Sequence, residues 1–198
     1  MARPKRDSGK LSAFERMEEA FWRLLAERPF DKITISALSK GAGVNHNLIY
    51  YYFENMEDLA RQMFERNMAG DLPQRLLSVI LEGMPSQEPF LKDAELLRRV
   101  GRVRLCMRSD SAFLNGLVKE RLQREWLTAV GADRTQLTAQ QRVDLEFLVS
   151  GIIAVVGSQL FEENMEAVAT LYQRPVGKAL AATLKGFSSE VNLLTEKD

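Results

Sequence analysis

Apolar residues recur every three or four positions along most of this chain, and that spacing constrains the fold more than any other feature. Phe14, Met17, Phe21, Leu24 and Leu25 set the pattern, Phe113, Leu117, Leu122 and Trp126 repeat it, and strand-like alternation is scarce. A period near 3.6 places such residues on one face of an α-helix, so the chain reads as all-α. Its 198 residues, 45% apolar and 27% charged, are enough to bury a core as one large or two small domains.

Several classes drop out early. Cys106 is the one cysteine, so a disulfide within the chain is excluded and a cysteine-based zinc site is disfavoured. The first ten residues, MARPKRDSGK, are basic, with no apolar run behind them to make a signal peptide. The longest aliphatic block, Ile152 to Val156, is too short to span a bilayer, and a cytoplasmic location is the expectation. His46 is the only histidine, and no metal-ligand cluster, Gly-rich phosphate loop or Ser/His/Asp set accompanies it. The chain therefore does not read as an enzyme, and no cofactor or metal is expected.

Caps and breakers divide the helical pattern. Ser12-Ala-Phe-Glu15 is a capping box that opens a helix ending before Pro29. Thr34 reads as the N-cap of a short helix carrying Ile35 and Leu38, which stops at Gly41-Ala42-Gly43. There Gly43 can take the left-handed conformation that closes a helix. Asn45 caps the next helix, with Ile49 and Phe53 four apart on its inner face and Val44 packing near the turn. Asn55 caps a fourth helix to about Gly70, with Glu57 and Asp58 in its first turn. Pro73 sits in the first turn of a fifth helix, to about Glu82, and residues 83–89 form a loop by composition. Further helices are expected over about 93–107, 111–130 and from the capping box Thr138-Ala-Gln-Gln141 to about Glu162. A last one runs from about Met165 to Val191, bent or interrupted near Pro175.

Two short helices joined by a tight glycine-containing turn make a helix-turn-helix, whose second helix normally lies in the DNA major groove. With Ile49 and Phe53 inside, Asn45, His46, Asn47, Tyr50 and Tyr51 are left on or beside the outer surface. Their hydrogen-bonding groups and flat rings suit base edges, thymine methyls and phosphates. Charge agrees: residues 1–53 hold nine Lys/Arg against six Asp/Glu, and residues 54–198 hold eighteen against twenty-one, a net +3 followed by a net −3. A basic head on an acidic body suits a polyanion, although the basic start alone is equally a solvated tail.

Residues 30–59 resemble the TetR family of bacterial transcriptional regulators. The match runs Phe30-Asp-Lys-Ile-Thr34-Ile35, Leu38, Ala42-Gly43-Val44, Leu48-Ile49-Tyr50-Tyr51-Tyr52-Phe53 and Glu57-Asp58-Leu59, in order and with the family's spacing. It covers 30 of the 198 residues; the region beyond residue 60 agrees in helix number and length but carries no diagnostic motif. The resemblance implies about nine helices in two parts. Residues 1–55 would form a three-helix helix-turn-helix DNA-binding domain with a basic arm, and residues 56–198 a helical effector-binding and dimerisation domain. It implies a homodimeric regulator, a repressor before an activator, that binds double-stranded palindromic operator DNA and leaves it when a small-molecule effector shifts the two heads. The family usually has a lysine before the acidic pair of the fourth helix, where it meets a phosphate; here Met56 stands there, so that charged contact should be absent. The small residue usual in the recognition turn is Asn47, preceded by His46.

The resemblance makes Thr34, Asn45, His46, Asn47, Leu48, Tyr50, Tyr51 and Tyr52 the DNA-facing set. Tyr50 looks like the family's phosphate-contacting tyrosine; Tyr51 would reach bases or a thymine methyl; packing against the fourth helix explains Tyr52 equally well. Thr34 caps a helix N-terminus that also suits a phosphate. Lys5, Arg6 and Lys10 of the arm would touch the backbone or the minor groove.

The body offers weaker candidates. Arg98, Arg99, Arg102, Arg104 and Arg108 crowd one helix, either as a solvated face with local acidic partners or with Arg104 turned inward to an acidic effector. Arg104, Met107, Phe113, Trp126 and Phe147 are the effector candidates, although aromatic residues at helical spacing are more often plain core. A body rich in Leu, Met and Phe suggests a lipid-like or aromatic ligand. Cys106 reads as core, with redox sensing as the alternative. Residues 147–157 are apolar almost all round, with Gly151, Ala154 and Ser158 forming a small-residue stripe and Val155 beside it; Ala179, Ala182 and Gly186 form another in the last helix. These stripes are either buried within the chain or the dimer interface that the resemblance implies. A protein–protein adaptor keeping the helix-turn-helix only as scaffold is the competing class, and salt-dependent DNA binding would separate the two.

Overall fold

A computed structural model describes residues 11–82, 92–164, 167 and 170–195. Among these residues there are ten α-helices and no strand. They are α1 (Ala13–Glu27), α2 (Ile35–Ala42), α3 (His46–Tyr52), α4 (Met56–Asn67), α5 (Leu72–Glu82), α6 (Ala94–Arg108), α7 (Ala112–Ala129), α8 (Ala139–Gly157), α9 (Gln159–Glu163) and α10 (Pro175–Thr195). The chain divides into two compact units, residues 1–63 and 64–198, with the division inside α4. The basic residues Lys5, Arg6 and Lys10 and the loop expected over 83–89 lie outside the described residues.

In the first unit, α1 starts at a capping box. The Ser12 hydroxyl accepts from Glu15 N–H at 3.2 Å, and Ser12 N–H donates to the Glu15 carboxylate at 2.7 Å. Met17, Phe21, Leu24 and Leu25 are buried, as their spacing demands, and Ala20 and Trp22 join them. Phe30 and Ile33 fill the bend before α2, and Leu38, Ala42, Ile49 and Phe53 complete the core beneath α2 and α3. Burying side chains of this size contributes roughly 1.5–3 kcal/mol each, which is what holds helices this short.

In the second unit α5, α6, α7, α8 and α10 pack around Leu72, Leu96, Val103, Cys106, Leu114, Val118, Leu122, Trp126, Leu145, Val149 and Leu184, all buried. Three helix boundaries differ from the sequence expectation. α8 ends at Gly157, not near Glu162. Ser158 turns extended (φ −82°, ψ 168°), and its hydroxyl donates to the Val155 carbonyl at 2.8 Å. Arg104 of α6 donates to the freed carbonyls of Val156 and Ser158, at 3.0 and 3.3 Å. The approach is close because residue 157 is glycine: a Cβ there would stand 2.6 Å from the Met107 carbonyl oxygen. α4 ends at Asn67, three residues before Gly70, because Arg99 of α6 takes the carbonyls of Asn67 (2.9 Å) and Ala69. The last helix begins at Pro175 rather than near Met165, which itself lies outside the described residues. Proline fits the first helical position, where no N–H is needed, so it starts this helix and does not bend it.

Candidate nucleic-acid interface

The recognition turn is built by local hydrogen bonds. Thr34 accepts from Ala37 N–H at 3.1 Å and fixes the start of α2. Gly43 closes α2 in the left-handed region (φ 61°, ψ 43°). The Ser39 hydroxyl, nearly buried, donates to the Val44 carbonyl at 2.6 Å, and Val44 N–H donates back to the Ser39 carbonyl at 3.1 Å. The Asn45 carboxamide then accepts from Asn47 N–H at 2.9 Å and starts α3.

α3 has two unlike faces. Ile49 is fully buried, and Phe53 closes the helix from inside the core. Asn45, His46 and Asn47 are exposed, Leu48 is half-buried, and Tyr50 and Tyr51 are 59% and 80% exposed. Two large tyrosines pointing at solvent beside three polar side chains, on a helix of seven residues, is a surface shaped for something flat and polar. Tyr52 is partly exposed and makes ring contacts with its neighbours. Its ring stands edge-on to Phe14 of α1 at 5.7 Å and to Tyr51 at 5.2 Å. Tyr52 thus braces the outer tyrosine against α1.

The start of α4 follows. The Asn55 side chain accepts from Asp58 N–H at 2.8 Å, and the Asp58 carboxylate accepts from Glu54 N–H at 3.0 Å. Met56 is the first residue of α4 and is half-buried.

Two contributors to this surface gave little sequence signal. Ser39 occupies an apolar-spaced position, where a hydroxyl is easily passed over. Arg23 sits on the exposed side of α1 yet donates to the Gly41 carbonyl at 2.9 Å.

In the body, the five effector candidates do not share one place. Trp126 is fully buried and its indole N–H has no acceptor. Met107 is buried, Phe113 is half-buried, and Phe147 is 77% exposed on the outside of α8. Arg104 pairs with Glu162 at 2.7 Å and lies over the Phe161 ring at 5.2 Å, besides closing α8. The arginine cluster is accordingly dispersed. Arg98 pairs with Glu95 at 2.7 Å, Arg99 and Arg104 close the ends of α4 and α8, and Arg102 is buried. Redox sensing by Cys106 is ruled against by its placement: it is fully buried, and burial pushes its thiol up to about 12. Of the stripe residues, Gly151, Ala154, Val155, Ala179 and Ala182 are exposed in the single chain, while Ser158 and Gly186 are half-buried. Among the described residues no group of three or more His, Cys, Asp or Glu side chains could hold a metal. No helix among them is long and apolar enough to cross a membrane.

A helix-turn-helix whose second helix presents polar and aromatic side chains outward defines a DNA-binding head. Residues 19–63 match the family model of bacterial regulatory proteins, tetR family. The N-terminal head is therefore similar to the DNA-binding domain of the bacterial tetR-family regulators. Among solved structures, the chain is similar to the fatty acid degradation regulator FadR from Bacillus halodurans. Identity is 18% and the TM-score 0.50, over 87% of this chain and 96% of that one. It is also similar to the TetR family repressor AlkX from a Dietzia strain, at 17% identity and a TM-score of 0.45, over 91% of this chain and 99% of that one. At such identity the likeness to FadR shows the fold. No curated protein matches the chain.

Proposed function

We propose that the protein is a dimeric repressor that holds a palindromic operator with two copies of its head and releases it when a small molecule enters the body. The observation that carries this reading is the division of α3: Ile49 and Phe53 inward, Asn45, His46, Asn47, Tyr50 and Tyr51 outward. In this reading His46 and Asn47 face base edges, Tyr50 donates to a phosphate, and Tyr51 meets bases or a thymine methyl. Leu48 packs beside the thymine methyls, and Thr34 places the α2 N-terminus toward a phosphate. Lys5, Arg6 and Lys10 add backbone charge, and Tyr52 holds Tyr51 in place.

An exposed apolar face on α8 supports the dimer. Val143 (62% exposed), Phe147, Gly151, Ala154 and Val155 lie along it, and the first four border a groove of about 710 Å³ lined by α8 alone. With the exposed Ala179 and Ala182 of α10, this face suits a two-fold helical interface. A dimer matches a two-fold operator.

The ties at the end of α4 support effector release. Asn67 and Arg99 bond reciprocally, with the Asn67 side chain donating to the Arg99 carbonyl at 3.0 Å. Arg121 of α7 pairs with Glu65 at 2.5 Å. An effector that displaced α6 or α7 would therefore pull on α4, whose other end is separated from the recognition helix by three residues. The Leu, Met and Phe content of the body favours an apolar or aromatic effector, with Trp126 offering it an indole N–H. Residues 56–198 are then the effector-binding and dimerisation part.

Selection of duplexes from a random-sequence library on the purified protein tests this. The reading requires an enriched inverted repeat that binds protomers in twos. An asymmetric site held by one protomer, or no enrichment at all, would overturn it.

A further inference from the structure

Arg23 has two acidic neighbours on its own helix, Glu19 and Glu27, each four residues away, at the spacing of ordinary surface ion pairs. Its guanidinium nevertheless crosses to α2 and donates to the Gly41 carbonyl at 2.9 Å. That carbonyl lies in the last turn of α2, where the helix has no N–H left to offer and the dipole is negative. The neighbouring carbonyls are already taken: Gly43 N–H bonds to Lys40 at 3.4 Å and Val44 N–H to Ser39 at 3.1 Å.

Space at residue 41 bears on the same bond. A Cβ built on Gly41 would stand 3.0 Å from the Arg23 nitrogen that makes the bond, so the guanidinium would have to shift by a few tenths of an ångström. Glycine in a helix interior is intrinsically unfavourable relative to alanine, so the helix itself gives no reason for it here. The close approach of the guanidinium does.

We propose that Arg23 and Gly41 form a clamp that fixes the recognition turn, making Arg23 a positioning residue for DNA binding that touches no DNA itself. The clamp sits two residues before Gly43, where a small rotation swings the whole of α3. It rests on the proposed DNA-binding function for its consequence, but not for its existence.

A double-mutant cycle on Arg23→Ala and Gly41→Ala tests it, with a fluorescein-labelled duplex enriched on the wild-type protein as probe. Circular dichroism fixes a temperature at which every variant is folded. Each single variant should weaken binding about five- to tenfold. Gly41→Ala should have no further effect once Arg23 is alanine. The slope of log affinity against log salt should stay at the wild-type value, because no phosphate contact has gone. A slope reduced by about one would make Arg23 a phosphate ligand and overturn the clamp. So would additive losses, or full affinity in Arg23→Ala. Amide exchange on the free protein decides the matter independently of DNA. Faster exchange at Gly43 and Val44 in Arg23→Ala supports the clamp, and unchanged exchange overturns it. A wild-type protein that prefers no duplex would sink the proposed function while leaving that exchange result to judge the clamp.

Discussion

Ser39 and Val44 are bonded to each other twice across the recognition turn, hydroxyl to carbonyl at 2.6 Å and N–H to carbonyl at 3.1 Å. The loop they close contains Gly43 in the left-handed region, at φ 61°. Replacing Ser39 by Ala leaves the Val44 carbonyl without its hydroxyl donor and should lower stability by about 1–2 kcal/mol. Gly43→Ala should cost about 1 kcal/mol from backbone strain, and Gly43→Asn less. Urea unfolding at constant m-value measures both; a Gly43→Ala variant as stable as wild type would contradict the turn described here.

Gly151 separates folding from association. A Cβ there would meet nothing of its own chain within 4 Å, and losing a helical glycine is intrinsically favourable by up to about 1 kcal/mol. Gly151→Glu should therefore keep or raise the stability of the single chain while breaking the dimer. Sedimentation velocity should give twice the 22.5 kDa chain mass for wild type and the chain mass for the variant. A variant that stays dimeric would move the interface away from this face of α8.

Cys106 should be silent. Its thiol is buried and pushed up to about 12, so at pH 8 it is neutral and inaccessible to a thiol reagent. An Ellman titration should find no reactive thiol in the native protein and one per chain in urea. Because the folded value lies above the unfolded one, the burial of the neutral thiol stabilises the fold fully below about pH 9. That contribution is lost as pH rises from there toward 12. Cys106→Ala should flatten this alkaline limb.

Met56 opens α4, where the TetR family that the head resembles usually carries lysine. Met56→Lys should tighten binding to any duplex and steepen the salt dependence by about one counterion, without changing sequence preference. Anisotropy titrations at several salt concentrations check this. An unchanged slope would mean that the start of α4 faces no phosphate.

The head was largely legible in the sequence, because its elements are fixed by short-range chemistry. Ser12 with Glu15, Thr34, Gly43, Asn45 and Asn55 act on residues two to four positions away, and their side-chain types name the geometry. Ile49 and Phe53 followed from helical spacing alone. What escaped notice depends on residues far apart in the chain. The Arg23–Gly41 bond spans eighteen positions and the Arg104 bond to Val156 fifty-two, so no local pattern announces either. The ends of α4 and α8 were misplaced for the same reason, since an arginine on α6 sets each of them. A proline within a long apolar pattern reads equally as a break or a start, and Pro175 is the first residue of its helix. The contact of Tyr52 with Phe14 spans thirty-eight positions, and only the fold brings the two rings together.

The central claim is that the exposed face of α3 reads DNA. Its most direct test is a fluorescence-anisotropy titration of wild type and a His46→Ala/Tyr50→Phe double variant against the library-selected duplex, at two salt concentrations. The account predicts tight, salt-sensitive binding by wild type with two protomers, or a multiple of two, per site. The double variant, still folded, should lose about tenfold or more in affinity. A double variant that binds as tightly as wild type, or a wild type that prefers the selected duplex no more than a scrambled one, would contradict it.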